Sequence, residues 1–321
     1  MTRRVLMAVS IDTEEDNWAP TRSGLTVENI RAVPRLRELC GSLGLRPTFF
    51  TTFAVASTPW ALDTVRTAAA ALSGEVGAHL HPWNTPPLDG AGTMLNNYPQ
   101  AVQEAKLRAL TERFLAGPDG AVPRVFRAGR FGLGPATVRA LLACGYDVDS
   151  SVTPFFTWEN YDHGPTFVGA PLHAYRLDGS SDVRIPVAAG GVVEVPLSSG
   201  YTRFSPPHWP AVARGLGRPT SRRMHLAGIG ARLGIVRRVI LSPETNSVRQ
   251  MVALARRLVE FGVPHLHLFF HSSSLVPGLS PFCRSGADVD RLLSRVCDFV
   301  ERVAALAEVR PARVTEVADA A

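Results

Sequence analysis

Lysine is almost missing from this 321-residue sequence: Lys106 stands alone, and arginine carries nearly all of the formal net charge of +6. That scarcity is a compositional bias and marks no site. Cysteine is sparse too, since Cys40, Cys144, Cys283 and Cys297 lie far apart and form no Cys-x-x-Cys pair, as buried thiols in a reducing compartment would. No run approaches the roughly 20 apolar residues of a membrane span. The opening "MTRRVLMAVSIDTEED" passes from two arginines through a short apolar run into acids, which is no secretory leader, so the expected location is the cytoplasm. Internal repeats and low-complexity tracts are absent.

One further absence is local. Between Val195 and Pro243 there is no acid, yet Arg203, Arg214, Arg218, Arg222, Arg223, Arg232, Arg237 and Arg238 all fall there. The stretch over 203–238 reads either as a solvated face or as a patch for phosphate groups or an anionic membrane surface. Nucleic acid is not expected as a partner, because no nucleic-acid motif or aromatic interleaving accompanies the charge.

What is present suits an enzyme with one large core: 45% hydrophobic and 19% charged residues are ordinary for a soluble globular chain. Short apolar runs alternate with helical patterns, which predicts an α/β architecture with a mainly parallel sheet. The strands are read at Val5 to Ile11, "RPTFFTTF", "GEVGAHLH", "RVFRAG", "YDVDSSV", "GGVVEVPLSS" and "HLHLFFH". Helical spacing joins them, and a closing helix carries Leu292, Leu293, Val296, Phe299, Val300 and Val303. A single unit over 1–321 is expected, with an irregular, divergent insertion at about 160–240.

The polar residues sit at the strand ends. Asp12 and Glu14 follow the first strand, Thr51 and Thr52 end the second, and His79 and His81 the third. Arg127 and Arg130 end the fourth, Asp149 and Ser150 the fifth, Ser198 the sixth and His271 the seventh. Parallel α/β folds gather their reacting groups at that end, so one site is predicted. In "GAHLHPW" the two imidazoles share strand parity and can grip one metal ion. Cupins carry the same His-x-His but want a glutamate soon after, and "NTPPLDG" offers none. Amidohydrolases carry the pair on their first strand and often add a lysine ligand, whereas Lys106 lies within a helix pattern. In "SIDTEEDNW" four acids crowd the end of a buried strand, and carboxylates that close repel unless a cation balances them. Their plainer alternative is an N-cap cluster. His265 and His267 share parity with His271 but lie earlier along the strand, and read as packing or supporting residues. Trp18 and Trp83 are placed to stack on a sugar ring or to pack the rim.

Asp-x-Glu after the first strand, "EVGAHLHP", "FRAGRFG", "DVDSSV" and "LFFHSSS" stand in the order of five motifs, and together they resemble the polysaccharide deacetylases of the NodB-homology group, carbohydrate esterase family four. The resemblance spans about residues 5–275 and is weak between 160 and 240. It implies a distorted seven-stranded (β/α) barrel holding one divalent ion, zinc first, with Co²⁺, Ni²⁺ or Mn²⁺ as alternatives. It implies hydrolysis of the N-acetyl group of an amino sugar or glycoside. Residue by residue it makes Asp12 the catalytic base, Glu14 the carboxylate ligand, His79 and His81 the imidazole ligands, Arg127 the orienter of the base with Asp149 behind it, and His271 the general acid. Asp16 is a rival ligand, because the more usual first motif has adjacent aspartates, and the usual histidines lie four apart rather than two. A backbone N–H between Tyr146 and Ser150, or at Thr153, would receive the oxyanion. The expected substrate is a small-molecule, nucleotide-, lipid- or aglycone-linked N-acetyl sugar. The alternatives are a barrel hydrolase for a non-sugar amide or formyl group, and an inactive carbohydrate-binding protein.

Overall fold

The structure is a computed structural model that describes residues 3–16, 25–88, 93–116, 120–217 and 237–321. Seven strands run parallel in the order β10 (His265–His271), β1 (Arg4–Thr13), β2 (Thr48–Thr51), β3 (Glu75–Leu80), β4 (Val125–Ala128), β5 (Val148–Asp149) and β7 (Val192–Glu194). They are the seven apolar runs of the sequence. Each is nearly sealed from solvent, as strands covered on both faces must be. The three-residue β6 (Tyr175–Leu177) adds an antiparallel edge beside β7, and β8 (Ser199–Tyr201) pairs antiparallel with β9 (Arg238–Ile240).

Alternation along the strands decides which side chains meet. On β1, Met7, Val9 and Ile11 join the outer core against the helices, together with Leu266, Leu268 and Phe270 of β10. Residues of the other parity, Ala8, Ser10 and Asp12, turn inward, as do His265, His267 and His271. The sheet must curl to bring them together. In a flat sheet β1 and β4 would be roughly 14 Å apart, three strand spacings, yet Arg127 of β4 bonds Asp12 of β1 at 2.5 Å. The seam between β7 and β10 carries no regular ladder. It is closed by single bonds from Ser198 N to the His267 carbonyl at 3.3 Å and from Phe269 N to the Leu241 carbonyl at 3.0 Å. The barrel is therefore distorted where it closes.

The amino end of the barrel is plugged. β11 (Glu308–Ala312) pairs with the first half of β1, leaving the second half to β2. The helix that follows it, Val314–Asp319, sends Val314, Val317 and Ala318 against Ala8, Phe50, Val125, Val148 and Val193. With that end filled by apolar side chains, polar groups are left to the carboxyl end.

Candidate active site and metal centre

Asp12 closes β1 beside His271, its register partner on β10. Its Oδ1 accepts the Arg127 Nη1 bond, and its Oδ2 lies 3.8 Å from His271 Nε2 and 4.0 Å from His79 Nε2. Burial alone would raise this carboxyl, but Arg127, His79 and His271 together hold it below the ordinary aspartate value. Arg127 is fully buried and every arm is engaged. Its Nε donates to the Ser150 carbonyl at 2.9 Å, its Nη2 to Ser150 Oγ at 3.2 Å and to His267 Nε2 at 3.4 Å, and its plane lies 4.0 Å from the Phe50 ring centroid.

The histidine tautomers follow from their partners. His79 Nδ1 is 3.0 Å from the Arg127 carbonyl oxygen, which can only accept, so Nδ1 carries the proton and Nε2 presents a lone pair. His81 Nδ1 is 2.8 Å from Glu15 Oε1, which also receives Asn84 Nδ2 at 2.6 Å. In the tautomer that donates Nδ1–H to Glu15, His81 presents Nε2 as a second lone pair. The two Nε2 atoms sit 3.0 Å apart, with Glu14 Oε2 3.4 Å from His81 Nε2. Burial keeps His79 neutral, pushing it down to about 3 against the pull of Asp12. Two facing lone pairs cannot bond each other; a cation between them resolves the contact. Glu14 Oε1 is buried without a hydrogen-bond partner. Burial, with repulsion from Glu15 and Asp12, outweighs the attraction of His271 and His81 and lifts Glu14 to about 7. Glu14, His79 and His81 each offer a ligand atom, all within 4.8 Å of one another. Imidazole nitrogens and a carboxylate are the donor types of a divalent zinc-like ion, so these residues fit the metal that the motif resemblance implies.

Asp16 is not brought to this group. Its oxygens accept from Thr26 Oγ1 at 2.6 Å, from the backbone N–H groups of Glu28 and Asn29, each at 2.8 Å, and from Asn29 Nδ2 at 2.5 Å. It ties down the loop that carries Glu14, whose carbonyl Asn29 Nδ2 also holds at 2.8 Å. Asp149 is not in the cleft either. It sits in register with Phe126 and Glu194, on the parity that leaves the barrel interior. Its oxygens accept from Ser151 N at 3.0 Å and Ser151 Oγ at 2.8 Å. Most of the N–H groups between Tyr146 and Ser150 expected to hold an oxyanion are engaged. Those of Tyr146, Asp147, Val148 and Ser150 bond backbone carbonyls, while those of Ser151 and Val152 bond Asp149 and Glu194.

Two carboxylates the sequence reading overlooked organise the site. Glu15 fixes His81, and its signal was adjacency to Glu14 inside the same acid cluster. Glu244, the first acid after the acid-free stretch, accepts His271 Nδ1 at 2.9 Å, the His271 backbone N–H at 3.1 Å and Ser274 Oγ at 2.5 Å. Burial would lower His271, but Glu244, Glu14 and Asp12 overcome it and raise the imidazole to about 10, so it is protonated at neutral pH. Ser272 Oγ accepts the Glu14 N–H at 3.2 Å and ties the two ends of the site together.

These groups floor a cleft of about 650 Å³ walled largely by rings, among them Trp83, Phe131, Phe156, Trp158, Tyr161 and Phe269. Trp18 and the arginines 218, 222, 223 and 232 lie outside the described residues. Arg237 and Arg238 line the cleft, but Arg238 is bound into the fold, donating to the Phe155 carbonyl at 3.0 Å and stacking 4.1 Å from Phe156.

No family model and no curated protein matches this sequence. Solved structures do. A protein assigned as a polysaccharide deacetylase from Mycobacterium smegmatis superposes with a TM-score of 0.55 at 16% identity, covering 99% of this chain and 90% of that one. A protein assigned as a glycoside hydrolase/deacetylase from Parabacteroides distasonis gives 0.56 at 12% identity, covering 99% and 71%. By these neighbours and its own strand order, the chain has the fold of the polysaccharide deacetylases, the distorted α/β barrel of the NodB-homology type.

Proposed function

We propose that this chain is a metal-dependent N-deacetylase of an N-acetylated amino sugar or glycoside. The observation that carries the reading is the convergence of Glu14, His79 and His81 ligand atoms within 4.8 Å, flanked by an ionised Asp12 and a protonated His271. Glu14, His79 and His81 would hold a divalent ion, zinc first. When bound, it supplies Lewis acidity that makes water a better nucleophile and the amide carbonyl a better electrophile at neutral pH. The remaining work belongs to the chain. Asp12 Oδ2, with Oδ1 fixed by Arg127, takes one proton from the attacking water. His271 Nε2, with Nδ1 held by Glu244, delivers one proton to the leaving nitrogen as the C–N bond breaks. One water is consumed, and acetate and a free amine result. The aromatic walls exclude bulk water and offer stacking faces to a sugar ring. A cytoplasmic location belongs to the same proposal and favours a sugar that is free or carrier-linked.

Chelator-stripped protein is incubated with N-acetylglucosamine glycosides, and acetate and free amine are measured before and after zinc is restored. Release that returns with one ion per chain supports the reading. A protein that takes up one ion yet releases no acetate from any of them is not this enzyme; formate release from N-formyl analogues would identify the formyl hydrolase instead.

A further inference from the structure

Arg130 follows β4 in the left-handed backbone region, at φ 53° and ψ 26°, and Phe131 shares it at φ 60°. Non-glycine residues seldom adopt this conformation, and where two occur together at a cleft the surrounding structure holds them there. The turn lays the Arg130 guanidinium 4.2 Å from the Trp83 ring centroid and 4.8 Å from that of Tyr161. Trp83 in turn packs 4.6 Å from the His81 ring. A continuous stack thus runs from the candidate metal-binding imidazole to a cation on the cleft wall.

Among the described residues that cation has no acceptor. Rings pack against the guanidinium but take none of its N–H donors, and among the described residues it makes no hydrogen bond or ion pair. Arg127 and Arg238, by contrast, are bonded into the fold. The acids of the cleft, Asp12, Glu14, Glu15 and Glu244, all serve the imidazoles or Arg127. An anionic substituent would be repelled at the carboxylate floor and attracted at the Arg130 wall.

We infer that Arg130 is a specificity-determining residue that recognises an oxyanion, a carboxylate or a phosphate, carried by the N-acylated substrate. Parallel N–H donors on a guanidinium edge match paired oxygens, which a lysine does not reproduce. The inference rests on the deacetylase reading, and its test is chosen to separate the two.

Three substrates are compared: the neutral methyl glycoside of N-acetylglucosamine, the corresponding N-acetylglucosaminuronate, and N-acetylglucosamine 1-phosphate. Wild-type protein should show a KM for the uronate or the phosphate about tenfold below that of the neutral sugar, the scale of one charge-assisted pair. Which of the two gains tells carboxylate from phosphate. In Arg130→Gln the preference should collapse to about one, and Arg130→Lys should keep part of it. Thermal melts of both variants check that they fold. Binding of the same anionic sugars is measured by calorimetry in parallel. Equal KM for all three in the wild type, or a preference that survives Arg130→Gln, overturns the oxyanion site while leaving the deacetylase intact. Binding that Arg130→Gln abolishes, without turnover of any substrate, upholds the oxyanion site and sinks the deacetylase.

Discussion

The molecule contains His-x-His twice, across the end of β3 as His79 and His81 and on β10 as His265 and His267, and only one pair converges on a common point. In the first, both Nδ1 atoms are tied to acceptors, so both Nε2 atoms face each other 3.0 Å apart beside Glu14. In the second, His265 Nε2 bonds the Pro196 carbonyl at 3.2 Å, while His267 Nε2 lies 2.9 Å from Ser10 Oγ and 3.4 Å from Arg127 Nη2. The difference is height along the barrel. β3 ends at the carboxylates, whereas His265 and His267 lie six and four residues before His271 on the same strand, and His267 sits against a buried guanidinium that repels any added cation. Spacing brings two imidazoles to one side of a strand; the charge around them decides whether they hold a metal or a neighbour.

Removing one member of each pair should therefore give opposite results, and this is the largest effect expected. His79→Ala should leave purified protein without stoichiometric metal and reduce deacetylation to background. His267→Phe should keep its metal and lose only about 10- to 100-fold in kcat, the range typical of residues that hold a functional group in place, because Arg127 would lose one of its supports. Metal analysis and steady-state kinetics on both variants check this. Loss of metal from His267→Phe would erase the distinction between the pairs.

A subtler perturbation reaches His81 without touching its chemistry. Gly129 packs so closely beneath it that an added Cβ would stand 2.6 Å from His81 Cδ2 and 2.7 Å from the Leu80 carbonyl oxygen. Backbone cannot yield as a side-chain tip can, so His81 must shift. Gly129→Ala should weaken metal affinity about 10- to 100-fold, read by titration against a competing chelator, with the fold retained in a thermal melt. Unchanged affinity would mean that the β3 pair tolerates displacement and owes its metal to Glu14 and His79 alone.

How much of this was legible beforehand depends on length and on partners. The seven parallel strands could be read because each is an apolar run that stops at polar residues. β6, β8 and β9 have three residues each, too few to show alternation, and β11 carries Pro311 and exposes every second residue. Asp12, His79, Arg127 and His271 met as expected because parity on parallel strands is a local property. The roles of Asp16, Asp149, Glu15 and Glu244 were not legible, since each depends on which backbone N–H or ring nitrogen lies opposite. Asp149 has the parity of Phe126 rather than of Arg127, and that could have been counted from the strand ends had the register been known.

A third cluster sharpens the comparison, because it has carboxylates without imidazoles. Asp149 and Glu194 are register partners on neighbouring strands and both fully buried. Lacking a nitrogen ligand, the pair accommodates its charge with a proton rather than a metal. Burial first, and then Asp149, push Glu194 well above its ordinary 4.5. Below that ordinary value both folded and unfolded chains carry the proton, and the pair adds no pH dependence. As pH rises past it the unfolded chain releases the proton while the folded chain keeps it, so stability falls with pH until Glu194 ionises in place. Glu194→Gln has no proton to lose. Melting temperatures measured between about pH 5 and 8 should therefore decline less steeply in Glu194→Gln than in the wild type, with metal content unchanged. Parallel slopes would show that Glu194 is already ionised in the folded barrel, its charge balanced by Arg127, and that this carboxylate pair, like the β10 histidines, answers to the guanidinium.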